Sequence, residues 1–541
     1  MTKYLKCQLL LILMFNLLGL KSQSIFKDCT AGDGNGDVIY LGQNNKGFFF
    51  MSNDQTSHFY LWFSDGTDQG TKIIQQFALS EYRYSASQFV IENNQLIVLL
   101  SNYPLSVSKL WISDGTDTGT HNLGDFGFAV GPDLKNNVKW YKNKYYFLLH
   151  VNNLGPSLWV SDGRNRLEFL KDIDTSSKDN DIQLRLRLLN NKLYFFANHT
   201  DYGTELWTSD GTDTGTHLEL DILPGTESGI NGSCFLHVFK NKLYFNYILI
   251  NNNNFQLSSY DVSSKNLVNF FNDDSIKTYF SVVEINYKDD SLMFINCKKK
   301  GKYEVWVSDG TKANTKKIRQ SQFSTTDEYL NNAYNINGKY IINSFISPLG
   351  YELWNYDETS QEYSLIKDLN PGTTSTNIFF NSVIKNNKLY FIAASSAFGI
   401  DVWVTDGTFD GTILYNDINN NGYFVSGLIS FNDKYFISGL LDSTYGTEIY
   451  NFDQLNTSVH QLDFAKTLKI YPLPAHAGEI VNIQTEAEIR EILLFDLHGR
   501  QQNIQHQNNQ IFLNDNIQAG LYNLIVTDMN GAIFQIKLII H

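Results

Sequence analysis

The sequence predicts an all-β fold, a large β-propeller of about nine four-stranded repeat units followed by a small C-terminal β-sandwich. Three observations predict it. A short motif, in its commonest form Trp-x-Ser-Asp-Gly-Thr, returns at nearly constant spacing through the middle of the chain. Each interval between copies divides into short apolar runs separated by turn residues, and nothing of comparable length has helical periodicity. The composition agrees: 14% aromatic, 18% charged, 37 glycines and 8 prolines in 541 residues can build a large core with many tight turns.

At the N-terminus, Lys3 and Lys6 precede an apolar run over residues 9–20 broken only by Asn16, and Lys21-Ser22-Gln23-Ser24 follows. That order is the order of a secretory leader. Twelve residues span roughly 18 Å as a helix, short of a ~30 Å hydrocarbon core, which argues against the competing reading of a membrane anchor. Residues 1–24 are therefore expected to be a signal peptide cleaved near Gln23, and the mature chain to have no transmembrane segment. Cys7 leaves with the leader. Cys29, Cys234 and Cys297 cannot all pair internally and have no metal-ligand spacing, so buried small residues are expected.

The repeat organises residues 25–465. Its aromatic slot is held by Trp62, Trp111, Trp159, Trp207, Ser258, Trp306, Trp354, Trp403 and Tyr450, at steps of 49, 48, 48, 51, 48, 48, 49 and 47 residues. Three residues after each slot stands an aspartate: Asp65, Asp114, Asp162, Asp210, Asp261, Asp309, Asp357, Asp406 and Asp453. In the fourth unit, apolar runs over 184–189, 193–197, 205–209 and 216–222 predict four strands, with turns at Asn190-Asn191-Lys192 and Asp210 to Gly215. Four strands in about 48 residues is the size of one propeller blade. The first unit is expected to open near Val38 and the ninth to close near Phe464. One nine-bladed ring is the first choice; two smaller rings, or one unit outside an eight-bladed ring, are the alternatives.

Nine aspartates in register could be calcium ligands or catalytic acids, but a catalytic site needs one constellation rather than nine equal copies. Turn chemistry accounts for them: an Asp side chain accepts its own backbone amides two residues on, and the following Gly takes a positive φ. The role resembles that of the Asp-box hairpins of sialidase-type propellers, although there the Trp follows the Gly-x-Thr, so no sialidase activity is carried over. The aromatic slot reads as core, each Trp burying roughly 150–250 Å²; a ladder of sugar-stacking tryptophans is the alternative.

Strand parity divides the loops. First-to-second and third-to-fourth turns share one uniform face, while second-to-third loops and passages between units share the other, where binding usually sits. Tyr202, Tyr351, Phe398 and Tyr445 are the aromatic candidates there, and packing over a turn competes with ligand contact for each. Asp33-Gly-Asn35-Gly-Asp37 alternates oxygen ligands like a calcium loop, but Val38 stands in place of the expected glycine and Asn44 in place of the bidentate Glu. His121 and His217 share a repeat position two residues into their fourth strands, which suggests a strand role. No Ser-His-Asp signature, phosphate loop or zinc pattern is present, so no catalytic, cofactor-binding or metal residue is assigned and no cofactor is expected.

From about Lys466 the repeat stops. Leu468-Lys-Ile-Tyr-Pro-Leu-Pro474, Ile489 to Asp496 with Gly499, Gly520 to Asp528 and Phe534 to Ile540 alternate as short strands of a small sandwich. These residues resemble the C-terminal sorting domain of type IX secretion in Bacteroidetes, with its Tyr-Pro-Asn-Pro opening, Phe-Asp-x-x-Gly turn and Gly-x-Tyr strand. Leu473 replaces the usual Asn, and the chain ends on His541 rather than in a lysine-rich tail. The middle resembles the bacterial ELWxxDGT-repeat proteins, including Lys367-Asp-Leu-Asn-Pro-Gly372 after a fourth strand. The resemblances imply an Ig-like sorting domain over 466–541, passage across the outer membrane by the type IX machinery, and a product that is released or held at the cell surface; the repeat family implies no settled activity.

Charge fits an extracellular ring. Of the net −14, the leader carries +3, the tail −2 and the middle −15, which excludes a phosphate-reading nucleic-acid partner. The leading expectation is a non-catalytic binding or adhesion protein with a glycan or protein ligand. The alternative is a secreted polysaccharide hydrolase or lyase using unrepeated loop acids such as Asp201, Glu227 or Asp442.

Overall fold

The computed structural model describes residues 25–540 except 30–36, 55–57, 79–87, 103–106, 128–132, 151–155, 174–184, 232–233, 250–253, 270–275, 284–291, 300–301, 319–327, 337, 347–349, 370–376, 396–398, 417–423, 443–445, 453–468, 473–474, 485–488, 497–500, 508 and 529–532. Residues 1–24, where a leader is expected, the calcium-like run at Asp33 and Asn35, Phe398, Tyr445 and Asp453 lie outside the described residues.

Among the described residues, nine four-stranded antiparallel sheets follow one another. Blades 1 to 8 cover residues 39–78, 89–127, 138–172, 187–220, 236–269, 276–317, 328–367 and 377–416. The ninth takes three strands from 424–451 and its fourth from the other end of the chain, Ile25–Lys27, which pairs antiparallel with Gly446–Asn451. The expectation that the ninth unit closes near Phe464 is thereby corrected. Its outer strand is Ile25–Lys27, so the last blade is knitted from both ends of the repeat region.

Blade 4 shows why these residues make a blade. Asn190 and Asn191 take φ of 47° and 57°, the left-handed pair that a two-residue hairpin turn with the twist of its strands requires. The dipeptides Asn93-Asn94, Lys142-Asn143, Lys240-Asn241, Asn386-Asn387 and Asn432-Asp433 do the same in other blades. The strand Lys192–His199 then alternates its side chains between two neighbours. Leu193, Phe195 and Ala197 pack toward blade 3, while Tyr194 and Phe196 pack toward blade 5. A sheet buried on both faces needs such a continuous apolar run. Opposite Trp207 the pairing with the fourth strand slips by one residue, and similar slips stand beside Trp62, Trp111, Trp159, Trp354 and Trp403.

The ring is closed by its packing. Nine apolar clusters each join two adjoining blades, and the last joins Ile429, Phe431, Phe436 and Ile449 of blade 9 to Val38, Phe48, Phe50 and Trp62 at blade 1. This is a single nine-bladed β-propeller; the two-ring and eight-bladed alternatives do not hold. All seven slot tryptophans pack toward the preceding blade. Trp62, Trp207, Trp354 and Trp403 are buried, and Trp111, Trp159 and Trp306 are half-buried. His121 and His217 open their strands rather than standing second in them.

Residues 469–540 form two further four-stranded sheets. Val481, Ile483 and Ile511 from one and Ile492, Leu494, Leu524, Val526 and Leu538 from the other share one buried cluster.

Candidate functional site

The repeated acids are engaged in holding backbone. Asp210 Oδ1 accepts from the Thr212 amide at 2.9 Å and the Thr212 hydroxyl at 2.6 Å, and Thr212 Oγ1 accepts from the Gly215 amide at 2.9 Å. Ser209 Oγ accepts from the Gly211 amide and lies 2.7 Å from Thr216 Oγ1. Gly211 sits at φ 91°, and a Cβ on Gly215 would land on the Asp210 carboxylate, which explains both glycines of the motif. Every described aspartate of the series accepts a backbone amide two residues on: Asp65, Asp114, Asp162, Asp210, Asp261, Asp309, Asp357 and Asp406.

These turns also fasten blade to blade. Lys142 Nζ donates to the Asp210 carbonyl of the next blade at 2.8 Å, Lys240 Nζ to the Asp309 carbonyl at 2.8 Å, and Lys434 Nζ to the Gly66 carbonyl at 2.7 Å across the closing seam. Fourth-strand lysines do likewise: Lys27 pairs with Asp68 at 2.9 Å, Lys171 with Asp213 at 3.0 Å, and Lys367 donates to the Thr412 carbonyl at 2.7 Å. Burial between blades pulls the Lys367 ammonium down to about 8. Sequence reasoning read the first-to-second hairpins, such as Asn190-Asn191-Lys192, as turns only.

A second acid position escaped that reasoning. Two residues before the slot stand Glu205, Glu352, Asp401 and Glu448, all fully buried. Glu205 Oε2 accepts from the Ile222 amide at 2.7 Å and Oε1 from the Gly229 amide at 2.8 Å. Glu352 Oε2 accepts from the Leu369 amide at 2.8 Å. Burial pushes the Glu205 carboxyl up to about 8, against the pull of the amides. Glu205 and Glu352 thereby cap the passages that follow blades 4 and 7. The signal was available, because the acid recurs at a fixed offset from the tryptophan.

Among the described residues, what is left for chemistry is on the loops, and blade 4 gathers most of it. Between its second and third strands runs the three-residue loop Thr200-Asp201-Tyr202. Asp201 is exposed, and its amide donates to His199 Nδ1 at 3.2 Å. Tyr202 is 36% exposed. Its ring centroid lies 5.2 Å from that of His199, which lies 5.7 Å from that of the buried Trp207. The passage carrying Glu227 packs against this loop: Ser228 Oγ accepts from the Thr204 amide at 3.0 Å, and a Cβ on Gly203 would strike the Glu227 carbonyl. Asp201, Tyr202 and Glu227 thus share one ledge. Asp442 stands in blade 9, paired with Gly446, and Tyr351 in blade 7, half-buried with its ring 5.3 Å from that of Phe345. Asp37, the last oxygen of the calcium-like run, accepts from Asn53 Nδ2 at 2.9 Å. Cys29, Cys234 and Cys297 form no disulfide among the described residues, the first being half-buried and the others buried. Among the described residues no group of three or more His, Cys, Asp or Glu side chains is arranged to hold a metal, and no helix is long and apolar enough to cross a membrane.

No family model matches the chain, and no curated protein matches it. Among solved structures, the β-propeller domain of the trilobed protease from Pyrococcus furiosus is similar over 74% of this chain and 100% of its own, at 10% identity and a TM-score of 0.33. A prolyl endopeptidase structure is similar over 75% of this chain and 55% of its own, at 11% identity and a TM-score of 0.39. The chain therefore spans about half the length of that enzyme. A nidogen/laminin complex is similar over 47% of this chain and 88% of its own, at 9% identity and a TM-score of 0.27. At these values none of the three speaks for an activity in this chain.

Proposed function

We propose that the mature chain is a secreted or cell-surface binding protein, used in adhesion or recognition, whose loop face engages an extracellular glycan or protein. Residues 466–541 act as the export module and address the type IX secretion machinery. One observation carries the binding reading, the division of work among the carboxylates. The acids three residues after the slot hold turns, the buried acids two residues before it hold passages, and the unrepeated acids Asp201 and Glu227 stand exposed on a braced loop platform. Variable loops on a rigid scaffold suit recognition. The tail's own apolar core supports its treatment as a separable module.

A hydrolase or lyase acting on polysaccharide is the second reading, and the nearness of the Asp201 and Glu227 loops is what favours it. A panel of polysaccharides and surface proteins incubated with the full mature chain separates the two. Saturable binding without product supports recognition; turnover abolished by Asp201→Asn or Glu227→Gln overturns it.

A further inference from the structure

We infer that the ledge on blade 4 is a saccharide-binding site for a neutral hexose unit, with Tyr202 as the stacking ring and Asp201 and His199 as its hydrogen-bonding groups. The inference rests on the binding reading above and gives it a ligand class and a place.

Exposure comes first. Among the described aromatics of the ring, only Tyr202 and Phe169 are exposed, and Phe169 lies on a fourth strand. The exposed ring is also backed. Tyr202, His199 and Trp207 form a stair in which the outer ring is exposed, the middle half-buried and the inner 6% exposed. A flat apolar face held from behind loses little freedom when a sugar's C–H face covers it.

The loop is fixed before any ligand arrives. The Tyr202 amide donates to the His199 carbonyl at 3.2 Å, and the Ile230 amide to the Thr204 carbonyl at 3.2 Å. Ser228 and Glu205 tie the neighbouring passage to the same strand.

The polar groups suit hydroxyls. His199 Nδ1 accepts the Asp201 amide, so the neutral ring carries its proton on Nε2 and donates from there. The Asp201 carboxylate, 74% exposed, accepts. A donor and an acceptor flanking an aromatic face match vicinal hydroxyls. Charge selects among sugars. Apart from the buried Glu205, the acids of residues 198–207 and 221–231 are Asp201, Asp221 and Glu227, and these segments hold no lysine or arginine, so uronates and sulfated glycans are repelled.

The test is calorimetric titration of the full mature chain with cellohexaose, laminarihexaose and maltohexaose, with hexagalacturonate and hexalysine as charged arms. Saturable binding of at least one neutral hexaose is expected. It should weaken roughly tenfold or more in Tyr202→Ala and in Asp201→Asn and hold within about threefold in Tyr202→Phe, with unfolding temperatures unchanged. Absence of neutral-hexaose binding, preference for either charged arm, or binding that ignores all three substitutions overturns the ledge. A different glycan or a protein bound elsewhere on the ring then leaves the broader binding reading standing. Cleavage of a bound hexaose removes that broader reading instead.

Discussion

The backbone amide of Cys29 donates to Glu448 Oε2 at 2.6 Å across 419 residues of sequence, and this bond helps to seal the ring. It repeats within blade 9 what Glu205 does for Ile222 and Glu352 for Leu369. Phe26 packs on Phe436 with ring centroids 4.5 Å apart, and Lys27 reaches Asp68 of blade 1. Removing residues 25–29 should therefore lower the unfolding temperature clearly. Glu448→Ala should lower it too, leaving a part-buried amide unmet at a cost of about 1 kcal/mol. The two changes should not add, because the deletion removes the amide that Glu448 serves. Full additivity in thermal melts would contradict the clamp.

The slot and the loop should separate in stability. Trp207 fills the space between blades 3 and 4, so Trp207→Ala should cost about 3–5 kcal/mol in denaturant titration. Tyr202 stands on the loop, and Tyr202→Ala should stay within about 0.5 kcal/mol. Equal losses would contradict the division into core and platform.

Two acid positions predict opposite pH limbs. The Thr212 hydroxyl and amide hold the Asp210 carboxylate below its usual range, so its stabilisation is present at neutral pH and lost as pH falls through that lowered value. Burial raises Glu205 to about 8, so the fold favours its protonated form. Its contribution is full below the ordinary carboxylate range and is lost as pH rises toward about 8. Melts from about pH 3 to about pH 9 should show Asp210→Asn flattening the acid limb and Glu205→Gln flattening the alkaline limb. Exchanged effects would contradict both assignments.

The tail should act on export alone. Truncation after Ala465 should leave a ring that melts cooperatively near the temperature of the full chain, while the truncated chain accumulates inside the cell envelope. Undiminished appearance in the medium would contradict the sorting role.

The repeat made the blades readable because each must bury both faces against neighbours, and that demand falls on the same positions every 48 residues or so. The turn aspartates were readable for the same reason. The closing strand was harder, because sequence order hides a pairing between residue 25 and residue 450. Its signal is short: Phe26-Lys-Asp-Cys29 matches Ile366-Lys-Asp-Leu369, a fourth strand with its capped amide. Glu205 and its counterparts were passed over because a buried acid in an apolar strand reveals its purpose only when the amides it meets, some 17 to 24 residues away, are placed beside it. At the ledge, Asp201, Tyr202 and Glu227 were readable as single loop residues. Their nearness was not, because it depends on Gly203 lying against the Glu227 carbonyl.

Electron-microscope averages of residues 25–541, with and without residues 25–29, test the central claim most directly. The account predicts a closed outline of nine lobes for the intact chain and a gapped or splayed seam between the first and ninth lobes for the deletion. A ring of eight lobes, a pair of smaller rings, or an unbroken seam in both preparations would contradict it.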